Sequence, residues 1–256
     1  MNEIPENQRP SVSIIIPTFN EACVIRRTLK AIARVPGNVE VIVADGGSDD
    51  STTDIARQSG ARVVESESGR GIQMHSGASI ARGNALLFLH ADTILPCEAI
   101  ALIEESLAHD VLTVGGNFDI RFDGKSRAAQ FLTWLYPKLG RLGLCYGDSG
   151  IFVRASAYQE IGGFKPFPIF EDLDFVRRLR RKGRMIHLPI AVVTSSRRFE
   201  DGRFAFTFAR WSILQGLYWL GVGPTILGKL YGPRRHARTR NVTRLQAESN
   251  SSPKSS

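Results

Sequence analysis

Four short, mostly apolar runs, each followed by polar or acidic residues, limit the folds that this chain can adopt. They occupy residues 12–16, 39–44, 61–65 and 85–89. Runs of this kind are typical of strands buried on both faces, as in a parallel sheet. Helices are predicted after them, at residues 21–33, 51–59, 71–81 and 96–108. A strand–helix pair repeated four times predicts an α/β fold with a doubly wound, mostly parallel sheet and helices on both faces.

The pattern changes after about residue 112, and the rest of the chain is predicted to be mixed α/β. Residues 113–122 alternate like an exposed or antiparallel strand, and residues 151–154 form a short strand. Helices are predicted at 125–139 and 172–182. A last strand spans 185–194, where Pro189 places it at an edge or a bend.

The 256-residue composition excludes several protein classes. Hydrophobic residues make up 43% of the chain, so it is neither collagen-like nor wholly disordered. Three cysteines without a C-x-x-C spacing argue against a disulfide framework and a Cys-rich zinc site. The first ten residues lack the pattern of a signal peptide, so a cytoplasmic location is predicted.

The net charge of +8 is concentrated near the end of the chain. Residues 233–256 carry much of the excess and are predicted to be a basic disordered tail. The cationic run at 177–184 is interpreted as a solvated helix face, with anionic lipid headgroups as the alternative partner. No nucleic-acid motif accompanies it, so no nucleic-acid partner is predicted.

Polar side chains follow each of the four predicted parallel strands, and these positions predict a binding site. They lie in residues 17–21, 45–52, 67–71 and 90–93. Ligands bind beyond the carboxyl ends of the strands in open parallel sheets. The chain contains no G-x-x-x-x-G-K-[ST], and its first turn lacks G-x-G-x-x-G. A P-loop NTPase and a nicotinamide dehydrogenase are therefore not supported.

Acidic residues at three places in the chain stand out as candidates for the chemistry. Asp45 ends a strand, where a carboxylate can accept from a nucleobase or a ribose, or can simply hold a turn. Asp92 suits a Mg²⁺ or Mn²⁺ shared with ligand phosphates, and His90 lies on the same side of the strand. Glu171 and Asp172 follow an aromatic stretch, so they are either first-turn acids or a general base of raised pKa.

Five motifs in order along residues 11–200 resemble those of family 2 glycosyltransferases. They are SVSIIIPTFNE at 11–21, VIVADGGSDDST at 41–52, GRGIQMHSG at 69–77, LHADT at 89–93, and GGFKPFPIFED ending at Asp172. Three positions depart from the family pattern. Arg70 replaces a Lys, His75 replaces an Asn, and His90 replaces the first acid of the D-x-D metal motif.

The resemblance implies a GT-A fold, the fold of nucleotide-diphospho-sugar transferases, with a Rossmann-like sheet and a mixed acceptor half. Residues 1–10 are then a flexible arm, and residues 11–232 a single domain. Within it, 11–112 is the nucleotide-sugar-binding half, 113–203 the acceptor and catalytic half, and 204–232 an apolar helical segment.

The implied activity is inverting transfer of a sugar from a nucleotide-diphosphate donor, expected to be UDP-linked, to a hydroxyl acceptor. The resemblance makes Asp172 the base with Glu171 beside it, and makes Asp92, with His90, the ligands of Mg²⁺ or Mn²⁺. The implied nucleotide-sugar-binding residues are Pro17, Thr18, Glu21, Asp45, Gly46, Ser48, Arg70, Gln73, His75, Ala91, Asp148, Arg197 and Arg198. Two alternatives stay open, a nucleotidyltransferase and a catalytically idle nucleotide- or membrane-binding protein.

The apolar stretch at 211–227 bears on where the protein works. Three interpretations stay open: peripheral attachment to an anionic membrane at the inner face of the cell membrane, a docked amphipathic helix, and a true span. Trp211, Tyr218 and Trp219 suit a membrane interface. The acceptor class also stays open, with a lipid or lipid-linked hydroxyl as one candidate.

Overall fold

The computed structural model describes residues 10–141, 145–197 and 204–231. The predicted arm at 1–10 and the predicted tail at 233–256 therefore lie almost wholly outside the described residues. The strands are β1 (Val12–Thr18), β2 (Val39–Asp45), β3 (Arg62–Glu65), β4 (Ala85–Phe88), β5 (Thr93–Ile94), β6 (Thr113–Phe122), β7 (Ile151–Arg154) and β8 (Arg184–Thr194). The helices are α1 (Ala22–Ile32), α2 (Thr52–Gln58), α3 (Arg70–Ser79), α4 (Ala99–His109), α5 (Arg127–Arg141), α6 (Ala155–Glu160), α7 (Glu171–Leu179), α8 (Phe204–Trp219) and α9 (Pro224–Tyr231).

All eight strands join one sheet in the order β3-β2-β1-β4-β7-β6-β8-β5. The first four strands pair in parallel, as predicted. β1 is buried because its side chains alternate between two cores. Ile14 and Ile16 pack with α1 and α4 on one face, whereas Ile15 packs with residues of α3 and α7 on the other. Helices on both faces therefore explain the uninterrupted apolar run.

The strands are no longer all parallel beyond residue 112, where the sequence pattern also changes. β7 runs antiparallel to both β4 and β6. Of the two alternatives predicted for residues 113–122, the exposed strand is wrong, because β6 lies between β7 and β8 and most of its side chains are buried. Its antiparallel pairing is with β7 alone, since it pairs with β8 in parallel.

Pro189 lies at a bulge in β8, at a strand where the sequence predicted an edge or a bend. Phe118 of β6 pairs with Leu188, but its neighbour Asp119 pairs with Ala191. Pro189 and Ile190 are therefore extra residues in the ladder, where the missing N–H of proline costs no hydrogen bond. Among the described residues β5 pairs with the last two residues of β8, beyond the bulge.

The predicted apolar stretch at 211–227 is divided between α8 and α9, with a break around Gly221. Leu214 of α8 and Leu227 of α9 are buried against Ile169, Phe170 and Leu173, around the start of α7. None of the helices in the described part of the chain is long and apolar enough to cross a membrane. Of the three interpretations of this stretch, a docked helix agrees with the side of α8 and α9 that carries Leu214 and Leu227.

Candidate functional site

A cavity of about 1210 Å³ opens at the carboxyl edge of the parallel strands. Its polar end is formed by the turns after β1 and β4 and by the starts of α3 and α7. Its apolar end is formed by α5, α8 and α9. The predicted site residues that line it are Pro17, Thr18, Glu21, Arg70, Gln73, His90, Ala91, Asp92, Asp148, Glu171 and Asp172.

Asp172 lies in the first turn of α7, and its carboxylate faces the cavity. Its Oδ2 accepts from the backbone N–H of Gly147 over 2.7 Å, and its Oδ1 accepts from the N–H of Leu173. Burial, and then the neighbouring charge of Glu171, raise the pKa of Asp172 to about 6, although Arg70 opposes the shift. A carboxyl with this pKa is charged at neutral pH but binds a proton far more readily than an ordinary Asp.

A chain of charged groups connects Asp172 to the rest of the polar end. Glu171 is buried, and its Oε1 lies 3.1 Å from Nε of Arg70. The Arg70 guanidinium also lies 3.4 Å from Nε2 of His90, whose Nδ1 lies 2.8 Å from Oδ1 of Asp148. Burial alone would lower the pKa of Arg70, but the carboxylates of Glu171, Asp148 and Asp172 raise it. Arg70 therefore remains a cation among three acids.

Phe170 adopts a left-handed backbone conformation, with φ of +60°, immediately before the two acids. This conformation is uncommon for a bulky residue and persists only where packing enforces it. The ring of Phe170 is buried, and it contacts Trp211 and Tyr218 of α8 at centroid distances of 5.9 and 5.3 Å. The C-terminal helices thus fix the turn that presents Glu171 and Asp172.

The structure places Asp45 differently from the predicted nucleotide contact. Its carboxylate is 1% exposed and does not line the cavity. It accepts from the N–H groups of Gly47 and Ser48 and from the hydroxyls of Thr18 and Ser48, at 2.6–3.0 Å. In this geometry Asp45 holds the turn after β2, which is the alternative that the sequence left open. Ser48 belongs to the same turn, and its Oγ also accepts from the N–H of Asn20.

Gln73 ties the ends of β1 and β2 to α3. Its Nε2 donates to the carbonyls of Thr18 and Ala44, over 2.6 and 3.1 Å. A Cβ on Gly46 would lie 3.0 Å from the Gln73 amide, so glycine allows this close approach. Gly46 itself does not line the cavity, whereas Gln73 does.

Asp92 lies at the cavity with its carboxylate paired to a cation. Nη2 of Arg197 lies 3.4 Å from Asp92 Oδ2 and also donates to Oε2 of Glu21. Arg197 is therefore brought beside the site through Glu21 and Asp92, although it does not itself line the cavity. Arg198, predicted beside it, lies outside the described residues.

Asp92 fits the metal-binding prediction better than His90 does. A Mg²⁺ or Mn²⁺ ion needs few protein ligands when a bound diphosphate supplies oxygens, and Asp92 offers one carboxylate at the cavity wall. Both ring nitrogens of His90 already face partners, Asp148 and Arg70. No group of three His, Cys, Asp or Glu side chains among the described residues forms a metal-binding cluster. The donor set thus fits an ion held jointly by Asp92 and phosphate.

His75 does not reach the cavity. It lies on an exposed position of α3, and its Nδ1 is 3.1 Å from the hydroxyl of Tyr158, on the side of the helix that faces α6. The predicted contact of His75 with the nucleotide sugar therefore has no support in this arrangement. A helix presents its side chains on all sides, and the motif spacing alone did not show which side faced the site.

Sequence reasoning missed the apolar end of the cavity almost completely. α5 contributes Leu132, Leu135, Tyr136 and Leu139, and α8 contributes Phe208, Trp211 and Gln215. Tyr146 spans the two ends, with its hydroxyl hydrogen-bonded to Gln215. Burial raises the pKa values of Tyr136 and Tyr146, so both phenols remain neutral. The signal available in the sequence is the helix predicted at residues 125–139, whose pattern alone does not show that one side lines a cavity.

Relatives with curated names share parts of the chain. A PGL/p-HBAD biosynthesis glycosyltransferase of Mycobacterium tuberculosis is 42% identical over 94 residues, covering 34% of this chain and 37% of the relative. An undecaprenyl-phosphate 4-deoxy-4-formamido-L-arabinose transferase of Sodalis glossinidius is 29% identical over 208 residues, covering 76% of this chain and 63% of the relative. The chain thus spans between about a third and two thirds of the length of these relatives.

Solved structures confirm the fold. The mannosyltransferase PcManGT of Pyrobaculum calidifontis, in complex with GDP-Man and Mn²⁺, superposes with a TM-score of 0.60 at 21% identity, covering 82% of this chain and 62% of that one. Residues 1–349 of S. aureus TarS give a TM-score of 0.58 at 18% identity, covering 73% and 60%. At these identities the likeness establishes the GT-A fold alone. The model of glycosyl transferase family 2 matches residues 13–159, more than half of the sequence, and the chain belongs to that family.

Proposed function

We propose that the protein transfers a sugar from a nucleotide-diphosphate donor to a hydroxyl acceptor, with inversion at the anomeric carbon. The observation that carries this proposal is Asp172, a cavity-facing carboxylate whose pKa is raised to about 6. A general base works best when its pKa lies near the operating pH. Asp172 meets that condition, and its position at the junction of the polar and apolar ends suits contact with both substrates.

The reaction is a single displacement. The acceptor hydroxyl gives its proton to Asp172 while its oxygen forms a bond to the anomeric carbon. The bond from that carbon to the donor phosphate breaks, and the nucleoside diphosphate leaves with the electron pair. The attack occurs on the face opposite the leaving group, so the configuration inverts and no covalent enzyme intermediate is required.

The donor diphosphate would lie over the polar end of the cavity. Arg70 supplies a guanidinium group there, and guanidinium matches phosphate oxygens well. Arg197 lies beside this end, paired with Asp92 and Glu21. Asp92 would hold Mg²⁺ or Mn²⁺ together with the diphosphate, and the bound ion would neutralise charge on the leaving group. Two solved neighbours carry Mn²⁺, one with GDP-Man and one with UDP, which supports testing both nucleotides. A UDP-sugar remains the donor expected first.

The acceptor would enter from the apolar end. Its hydroxyl must reach Asp172, and the wall beyond consists of Tyr136, Tyr146 and Trp211 with leucines of α5. An acceptor that carries a large apolar group fits this wall. The relative from Sodalis glossinidius is named for an undecaprenyl-phosphate substrate, which supports a lipid-linked acceptor.

The direct test compares the wild-type protein with Asp172→Asn across UDP- and GDP-sugars, in the presence of Mn²⁺. We expect the wild type to release the nucleoside diphosphate, and Asp172→Asn to slow transfer by roughly 10²- to 10⁴-fold, because a general base is lost. Donor binding, measured by calorimetry, should be retained. Asp54→Asn, which removes a carboxylate 71% exposed on α2, is the matched control.

Two outcomes would contradict the proposal. Release of pyrophosphate instead of a nucleoside diphosphate would indicate a nucleotidyltransferase. Full activity of Asp172→Asn would place the base elsewhere. The anomeric configuration of the product, read by NMR, separately tests inversion.

A further inference from the structure

α8 is apolar around nearly its whole circumference. Arg210 is the single charged residue in its 16 positions. One side of the helix lines the cavity through Trp211 and Gln215, and Leu214 packs against the start of α7. The outward side carries Phe206 and Ile213, which are 70% and 64% exposed. A helix that is hydrophobic on all sides is normally covered by protein or by lipid, and no described residue covers this side.

The exposed apolar surface continues onto the two neighbouring helices. α5 reaches α8 through the rings of Phe131 and Phe208, whose centroids are 5.9 Å apart. α8 reaches α9 through Trp211 and Tyr231, at 5.4 Å. We call this surface the apolar rim. Its main members are Trp134, Phe206, Ile213, Leu220, Ile226 and Leu230, each 57–83% exposed.

The charged residues of the three helices that carry the apolar rim are all cations. None of the helices α5, α8 and α9 contains Asp or Glu, whereas they contain Arg127, Lys138, Arg141, Arg210 and Lys229. The ammonium group of Lys138 lies 3.5 Å from the ring centroid of Trp134, so a cation and an interfacial aromatic residue are adjacent. The sequence directly after α9 reads GPRRHARTR. Apolar side chains on helices whose charged residues are all cations complement an anionic lipid surface.

We propose that the apolar rim docks on an anionic lipid bilayer and that the acceptor enters the cavity from that bilayer. α8 spans about 24 Å at 1.5 Å per residue and would lie in the membrane plane, since no described helix is long and apolar enough to cross. The same helices form the apolar wall of the cavity, so a lipid chain could pass from bilayer to cavity without crossing water. The docking rests on the exposed surface alone, whereas a lipid as the acceptor rests on the proposed function.

The test is co-sedimentation of the full-length protein with vesicles of phosphatidylcholine, with and without phosphatidylglycerol. We expect binding to the anionic vesicles and much less to the neutral ones. The double variant Ile213→Glu/Leu230→Glu should weaken binding by at least about tenfold, because it removes two apolar side chains that would be buried in the interface and adds like charge. Circular dichroism and Tm would verify that the variant folds.

The matched control is Val111→Glu/Leu112→Glu. Both residues are exposed and apolar, at 85% and 73%, but they lie in the turn before β6, at the opposite edge of the sheet from the cavity. This variant should bind vesicles like the wild type. Equal vesicle binding by the rim variant and the wild type would overturn the proposal, because binding would then come from the basic tail. So would a wild-type dimer that the rim variant abolishes, since a second copy would then cover the rim.

Separate measurements test the docking and the proposed function, so one can be contradicted without the other. A protein that binds vesicles but transfers no sugar would leave the docking intact and remove the proposed function. A protein that transfers sugar equally well to soluble and membrane-bound hydroxyls, without vesicle binding, would retain the proposed function and remove the docking.

Discussion

The backbone N–H of Gly147 donates to Oδ2 of Asp172 over 2.7 Å, so the short 3₁₀ helix Gly147–Ser149 and the start of α7 are held together at the proposed base. A Cβ on Gly147 would lie within 3.3–3.6 Å of Asp172, His90 and Arg70. Three functional side chains therefore converge on one backbone position. The convergence depends on contacts between residues that are distant in the sequence.

The rate of transfer should fall in acid with the titration of Asp172. A base acts only when unprotonated, and the pKa of Asp172 is raised to about 6 by burial and by Glu171. We therefore expect kcat/KM to be level above about pH 7 and to fall tenfold per pH unit below about pH 6. A pH–rate profile with saturating metal checks this. An inflection near the ordinary pKa of Asp would contradict the assignment.

Replacing Arg70 should move that inflection to higher pH. The Arg70 cation opposes the raised pKa of Asp172, so Arg70→Gln should let the pKa rise further. The pH–rate profile of this variant is the measurement, with Arg57→Gln on the surface of α2 as the control cation. An unshifted profile would show that the Arg70–Glu171 pair has little electrostatic effect on the base.

Asp45→Ala should destabilise the fold more than it weakens donor binding. The substitution leaves the N–H groups of Gly47 and Ser48 and the hydroxyl of Thr18 without their acceptor. Of these donors only the Thr18 hydroxyl is buried, and an unpaired buried donor costs roughly 1–3 kcal/mol, so we expect a loss of about that size in urea unfolding. Asp49→Ala, in the same turn but exposed, is the control. Normal stability with lost donor affinity would instead support the predicted nucleotide contact.

Metal removal should weaken donor binding through Asp92. We expect calorimetry to show tighter binding of the donor with Mn²⁺ than with a chelator, and Asp92→Asn to abolish that difference. His90→Asn should keep it, because both nitrogens of His90 face Asp148 and Arg70. Loss of the metal response in His90→Asn as well would make His90 a ligand.

The sequence was informative about the sheet and its binding edge because both follow from local patterns. Apolar runs such as residues 12–16 and 39–44 predict buried strands, and parallel strands end at a common edge. Asp92, Glu171 and Asp172 were predicted for this edge, and all three line the cavity. Their chemical roles stay predictions.

The rest depended on long-range packing that no local pattern encodes. Asp45 was expected to face a ligand, but Thr18 of the neighbouring strand and the following turn occupy its oxygens. Arg197 pairs with Glu21, 176 residues away in the chain. The apolar end of the cavity arises because α5 and α8 meet across it. The sequence predicts a helix at 125–139 and an apolar helical segment at 204–232, but not which of their sides meet.

The left-handed turn at Phe170 has a consequence for exchanging parts between relatives. The ring of Phe170 is wedged against Trp211 and Tyr218, and the acids follow it directly. A chimera that took the sheet and α7 from one protein and the C-terminal helices from another would lose the packing of the Phe170 ring against α8. Residues 170–231 should therefore be exchanged as one segment, so that the proposed base and the helices that pack behind its turn come from the same protein.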